Sequence, residues 1–468
     1  MIENFDPFSQ EENELVGRFD EMIRHDKMYF FDVEEFEEII DFYLESNIPK
    51  KARTAIDYAM RQHPASNAFI LRKAQYFAGV NNTVKALDLL NKLEILEPRN
   101  PDLHITKGVV FSKLKKYNDA IHAYEIAAEY SDEKDDIYTR IAFEYEEMKD
   151  FDKAIENLIK AINFNPENQA VIYELAFCYE MAGREEDSIS FFNKFLDENP
   201  YSDIGWFNLG IAFSNLQLYE KAIDTYEFAI AITPGFSSAY FNKANALANI
   251  GKYDEAIVFY KETLELEEVD PLTLYYIGEC YEKIEDFENA FLSYKEAIKI
   301  NPDMAEAWMG LGIVSDRTGN NKAALKHMKK ALDLDNNIVD NWLFYADALF
   351  RNDKLNDAVK AYEKASGIDP HHPDVWLDYS SVFAETEDYG KAINIIVKGI
   401  EIQPQNHELL YRFAGYLAKK GRHKDAYANL ELALQINPED YNLLFEFFPE
   451  LAGDIHFINL IDAYKPKV

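Results

Sequence analysis

203-DIGWFNLGIAFSNLQLYEKAIDTYEFAIAITPGF-236 is the stretch that decides how this chain folds. It reads as two amphipathic helices joined by a short turn. Trp206, Leu209, Gly210 and Phe213 mark the first helix, Ala222 and Tyr226 the second, and Pro234 closes the unit.

Steps of 34 residues return the same skeleton along most of the chain. Starting at Pro64, they land on Pro98, Asp132, Pro166, Pro200, Pro234, Glu268, Pro302, Asn336, Pro370, Pro404 and Pro438. Nine of these twelve positions are proline, in a chain with 16 prolines. Ten residues past each of the first eleven stands a small residue, from Ala74 and Gly108 to Ser380 and Ala414. Twelve further on comes another small one, from Ala86 to Ala426. All four tryptophans, Trp206, Trp308, Trp342 and Trp376, share one position of the period.

The pattern Trp206-x2-Leu209-Gly210-x2-Phe213, then Ala222-x3-Tyr226 and Pro234, resembles the tetratricopeptide repeat, and the resemblance covers residues 67–440 in eleven contiguous units. It implies an all-α, right-handed superhelical solenoid, of about twelve helix-turn-helix repeats once a divergent unit at 33–66 is included. The physical reason is packing. One helix pair cannot bury its apolar stripe alone, so neighbouring pairs stack into a continuous core. Small residues let helices approach, and rings such as Tyr124, Phe192, Tyr226, Tyr260, Tyr294 and Tyr362 fill the space between them. Prolines stop one helix or start the next: Pro101, Pro271 and Pro373 are expected to open first helices, with Asp270 capping the one at Pro271.

The ends depart from the pattern. Residues 1–32 are expected to form an N-terminal tail, loose over 1–12, and a capping helix over Asn13–Lys27 with Leu15, Phe19, Met22 and Ile23 on one face. Residues 33–66 keep Ala52, Ala59 and Pro64 but place bulky Ile40 where other units have a small residue. Residues 441–468 are expected to form C-terminal capping helices, with Phe457, Leu460, Ile461 and Tyr464 on the apolar side.

Composition narrows the function. Asp and Glu number 84 against 48 Lys and Arg, a net charge of −36, which repels nucleic acid and anionic membrane surfaces and favours partners with basic segments. No run is long enough to insert in a bilayer, and the first residues lack a basic and apolar leader, so the expected location is cytoplasmic. Cys178 and Cys280 stand three repeats apart, too far to pair, and read as small core residues. No phosphate-binding loop, nucleophile elbow or Cys/His cluster is present, so no enzyme, cofactor or metal is expected.

The resemblance implies that the first helix of each repeat lines a concave groove. Tyr173, Phe207, Phe241 and Tyr275 stand at its fifth position, and Asn208 and Asn242 at its sixth. Phe177, Ile211 and Asn245 occupy the ninth, and Asn215 and Asn249 the thirteenth. Amides donate to and accept from an extended backbone, while aromatic faces hold side chains. The basic residues that could reach the groove, Arg72, Lys113, Arg140, Arg317, Arg351, Arg412 and Lys419, are dispersed among glutamates, unlike the family's clamp for C-terminal carboxylates. The expected function is therefore a non-enzymatic adaptor or scaffold that binds a protein or extended peptide. The alternative is an architectural subunit that forms a homodimer through its ends, where Phe445, Phe447 and Phe448 are unusually dense.

Overall fold

The computed structural model describes residues 10–25 and 27–464. The expectation of a loose segment at 1–12 therefore falls largely outside the described residues, as do the last four residues of the expected C-terminal cap.

The chain divides into two compact units, residues 1–234 and 235–468. The first begins with α1 (Gln10–Arg24). Three helix pairs follow: α2 (Val33–Glu45) with α3 (Pro49–Gln62), α4 (Asn67–Gly79) with α5 (Thr83–Leu96), and α6 (Pro101–Lys113) with α7 (Tyr117–Tyr130). Next come α8 (Lys134–Glu147) with α9 (Phe151–Phe164), α10 (Gln169–Met181) with α11 (Glu185–Glu198), and α12 (Asp203–Asn215) with α13 (Tyr219–Ile232). The second unit repeats the scheme. It holds α14 (Ser237–Asn249) with α15 (Tyr253–Leu266), α16 (Pro271–Lys283) with α17 (Phe287–Ile300), and α18 (Ala305–Arg317) with α19 (Asn321–Leu334). Then come α20 (Val339–Arg351) with α21 (Leu355–Ile368), α22 (Val375–Glu385) with α23 (Tyr389–Ile402), and α24 (His407–Lys419) with α25 (His423–Ile436). The short α26 (Asn442–Phe447) and α27 (Ile455–Tyr464) finish the chain. No strand occurs among the described residues, and none of their helices is long and apolar enough to cross a membrane.

Within each unit the two helices of a pair pack on one another and on the neighbouring pair, and first helices also touch one another, as α10 does α12 and α16 does α18. The helices start where short polar side chains meet orphan amides. Asn82, Asn168, Ser202, Asp270 and Asn406 each accept a backbone N–H from the first turn, and Asp32 forms a reciprocal capping box with Glu35. Pro101 and Pro271 open α6 and α16. Pro373 does not open α22: the turn runs on, with Asp374 N–H donating to His372 Nδ1 at 3.3 Å, and the helix begins at Val375.

The turn inside each pair is set by a single backbone conformation. Positive φ occurs at Asn47, Asn81, Lys115, Lys149, Gly183, Gln217, Gly251, Glu285, Gly319, Asp353, Glu387 and Gly421, twelve residues at an unbroken 34-residue interval. Residue identity conceals this period, since only four of the twelve are glycine. Between pairs, each tryptophan fixes the turn before it. The indole N–H groups of Trp206, Trp308, Trp342 and Trp376 donate to the carbonyls of Pro200, Pro302, Asn336 and Pro370, at 2.8–2.9 Å.

Residues 33–66 form a helix pair whose turn residue, Asn47, obeys the same interval. Ile40 fits because its partner changes too. Where other pairs oppose a small residue to a large one sixteen positions later, this one buries Ile40 and Ile56 in the same core. α1 lies three residues earlier than the expected Asn13–Lys27. The chain leaves the helix at Arg24 so that Phe31 can pack among Phe19 and Phe36, held by Gln62, which bonds both Phe31 N–H and the Tyr29 carbonyl. Val16, Phe19 and Met22 are buried there, while Ile23 is exposed. At the other end, Phe457 and Ile461 of α27 are buried, and Phe457 meets Tyr427 at 5.0 Å. Phe448 is spent inside the fold, edge-on to Tyr416 over Gly415, where a side chain would collide with it. Of the aromatic trio only Phe447 is exposed, at 52 %, and the Arg412 guanidinium covers one of its faces.

Candidate functional site

In the first unit, the expected groove residues divide by depth. Tyr173 and Phe177 on α10 are exposed, at 39 % and 47 %, Ile211 is half-buried and Asn215 is exposed. Phe207 and Asn208 on α12 are corrections to the expected lining. Phe207 is 5 % exposed, enclosed between Tyr173 at 6.1 Å and Tyr226 at 5.8 Å. Asn208 is 2 % exposed and donates its amide to the Ile204 carbonyl at 2.9 Å. The cause is geometric. α12 packs on α10, α11 and α13, and Phe207 and Asn208 fall on the side of it that these contacts enclose. A buried amide must then bond within its own helix.

The second unit gathers the other expected residues on one face. Tyr276 is its centre: its ring stacks on Tyr260 at 5.9 Å and 11°, and meets Phe241 at 5.8 Å and Tyr275 at 5.5 Å. Phe241, Asn242, Asn245 and Tyr275 are half-buried, and Asn249 is exposed. The amides are already partly engaged. Asn242 and Asn249 donate to the carbonyls of Ser238 and Asn245, while the Asn245 side-chain oxygen accepts the Tyr260 hydroxyl at 2.5 Å. Each of these bonds fixes a side chain and leaves other amide atoms for a ligand.

Three adjoining cavities run along this face. One of about 300 Å³ is lined by Ser238, Phe241, Asn242, Asp270 and Leu272 among others. Another of about 270 Å³ holds Asn245, Asn249, Tyr260, Tyr276, Glu279 and Lys283. The third, about 650 Å³, shares Asp270 and Leu272 with the first and Tyr276 and Glu279 with the second, and adds Tyr275, Asp303 and Glu306. Tyr275 donates its hydroxyl to Glu279 Oε1 at 2.7 Å, and burial together with that carboxylate pushes the phenol well above its ordinary value. Burial likewise pushes the Cys280 thiol up to about 12, so it is an inert core group.

The basic residues noted in the sequence are mostly occupied. Arg72 pairs with Asp41 and Glu37, Arg140 with Asp136, Arg351 with Asp316 and Lys419 with Glu450; Lys113 bonds the Ala78 carbonyl and Arg412 the Ser381 hydroxyl.

One cluster escaped the sequence reading. Glu146 on α8 with Glu174 and Cys178 on α10 place a ligand atom each within 4.8 Å of one another. Glu146 Oε1 is buried without a hydrogen-bond partner. Burial first, then the facing Glu174 carboxylate, raise Glu146 to about 8, and burial with the same carboxylates raises the Cys178 thiol. Burial beside a second carboxylate favours the neutral Glu146 carboxyl, and the thiol, pushed up, is not poised as a metal ligand. The signal was present only as spacing: Glu146 ends one first helix, and the other two lie a turn apart on the next.

Four family models described as tetratricopeptide repeat match the chain, at residues 145–203, 205–236, 237–268 and 270–437, together more than half of it. No curated protein matches the sequence. Among solved structures the chain is similar to YrrB, a tetratricopeptide protein with an unusual peptide-binding site: identity is 21 %, 39 % of this chain and 95 % of that one are covered, and the TM-score is 0.34. It is also similar to the anaphase-promoting-complex hetero-tetramer Cut9–Hcn1, at 14 % identity, covering 89 % and 93 %, with a TM-score of 0.42. A third is the C-terminal part of a repeat protein from Cytophaga hutchinsonii, at 18 % identity, covering 51 % and 98 %, TM-score 0.42.

Proposed function

The chain belongs to the tetratricopeptide-repeat family, and from that premise we propose that it is a non-enzymatic protein-interaction adaptor that takes an extended peptide on the first-helix face of α14, α16 and α18. The observation that carries this reading is the continuity of the three cavities: the largest shares lining residues with each of the other two, so they form one track. Aromatic faces along the track hold side chains, and the remaining amide atoms of Asn242 and Asn249 meet a peptide backbone whatever its sequence. We assign it to the cytoplasm, a reading supported by two buried cysteines that are free.

Selection of a random phage-displayed peptide library on the full chain tests it. Peptides should be enriched on the wild type, and Phe241→Ala with Tyr276→Ala should weaken them by about a hundredfold while helix content is unchanged. Lys299→Ala, on the exposed side of α17, should leave binding intact. Peptides that bind the groove variant as tightly as the wild type would refute the reading. A second reading, self-association through the C-terminal end, rests on exposed Phe447, and light scattering showing a dimer that Phe447→Ala dissolves would favour it.

A further inference from the structure

We propose that the cavity between α16 and α18 is a socket for a cationic side chain, arginine or lysine, so that the peptide taken on this face is a basic one. This rests on the groove reading above and names the partner's chemistry.

Four carboxylates, Asp270, Glu279, Asp303 and Glu306, line the cavity with the rings of Tyr275 and Tyr276, and no lysine, arginine or histidine lines it. Among the described residues, none of the four is ion-paired with a basic side chain. Lys283 belongs to the neighbouring cavity. Negative charge is thus concentrated in a concave, partly apolar site with no internal counter-ion, where the field of the carboxylates is focused.

Two further observations favour a side chain over a metal ion. These carboxylates do not converge as a metal-binding set: the single such group among the described residues is Glu146, Glu174 and Cys178. A divalent ion would therefore find at most two of these carboxylates converging on it. The space is about 650 Å³, ample for a long side chain, and Tyr275 and Tyr276 line it, rings whose faces attract a guanidinium or ammonium group. Tyr275 holds Glu279 through the 2.7 Å bond, so this acceptor is positioned before a ligand arrives. A guanidinium fits best, since its planar fork can meet a carboxylate with paired N–H groups while lying on a ring. The acidic character continues along the same unit: the residues in the register position of Glu306 in the next repeats are Asp340, Asp374 and Glu408. A peptide with further basic residues would meet carboxylates as it extends.

The same display library, selected on the wild type and on Glu279→Gln with Glu306→Gln, separates this inference from the reading beneath it. The wild type should enrich arginine or lysine at one fixed position of the aligned peptides, and the variant should still select peptides but without that preference. For one selected peptide, replacing its conserved arginine with glutamine should weaken binding about tenfold or more on the wild type and have little effect on the variant. Raising salt should weaken the wild-type complex more than the variant complex. Peptides enriched with no basic position, or a basic preference that survives in the variant, would overturn the socket and leave the groove standing. If no peptide is selected at all, both fall.

Discussion

The Tyr226 ring lies so close over Gly210 that a Cβ on this glycine would stand 2.4 Å from Tyr226 Cε1. The same contact joins Gly108 to Tyr124 and Gly278 to Tyr294, sixteen residues apart each time. Gly210→Ala should therefore cost about 1–3 kcal/mol through overpacking. Gly235→Ala, with nothing within 4 Å, should change stability by less than about 0.5 kcal/mol. Urea unfolding of the two variants checks this, and equal midpoints would show that α12 and α13 can part without cost.

The helix–helix turns store strain that glycine can relieve. Lys149, Gln217 and Glu285 hold φ near +60°, at +59°, +58° and +63°, where a Cβ is crowded. Replacing each with glycine should raise stability by about 0.5–1 kcal/mol, and Gly251→Ala, at +79°, should lower it. Thermal melts that move the opposite way would mean the turns relax into another conformation.

Restoring the small residue typical of the other repeats should damage the first one. Ile40→Ala leaves a hole opposite Ile56, because no ring fills the space there, and should cost about 2–5 kcal/mol. Ile40→Ala with Ile56→Tyr should recover a large part of that loss. Hydrogen exchange in α2 and α3 reads both, and a double variant no better than the single one would reject the proposed exchange of volume.

The carboxyl pair of Glu146 and Glu174 predicts a pH effect confined to its neighbourhood. The folded chain keeps the Glu146 proton up to about pH 8, whereas the unfolded chain releases it near 4.5. Protons bound to the native state alone make stability fall as pH rises through that window, so α8 and α10 should be most protected below pH 4.5 and least above 8. Because the facing Glu174 carboxylate adds to the effect of burial on Glu146, Glu174→Gln should reduce the dependence. Amide exchange followed at pH 5 and pH 9, after correction for the intrinsic rate, checks it; a loss of protection spread over all helices would point to net charge instead.

The repeat was legible in the sequence because every unit solves the same packing problem. Spacing of Pro234 and its counterparts, small residues such as Gly210 and Ala222, and the tryptophan position are covalent facts, and periodicity alone turns them into stacked helix pairs. The 34-residue interval of left-handed turns was hidden, since lysine, glutamine and glutamate adopt that conformation only where the packed helices impose it. Spacing also placed Asn208 and Asn242 at one repeat position, yet the first is buried and the second half-buried. Depth depends on which side chains close over a residue in the packed chain, which register does not encode. For the same reason Glu146 met Cys178, and Tyr276, never singled out in the sequence, became the centre of the second unit's face. Local pattern fixed which helices form; three-dimensional packing decided which of their side chains still face a partner.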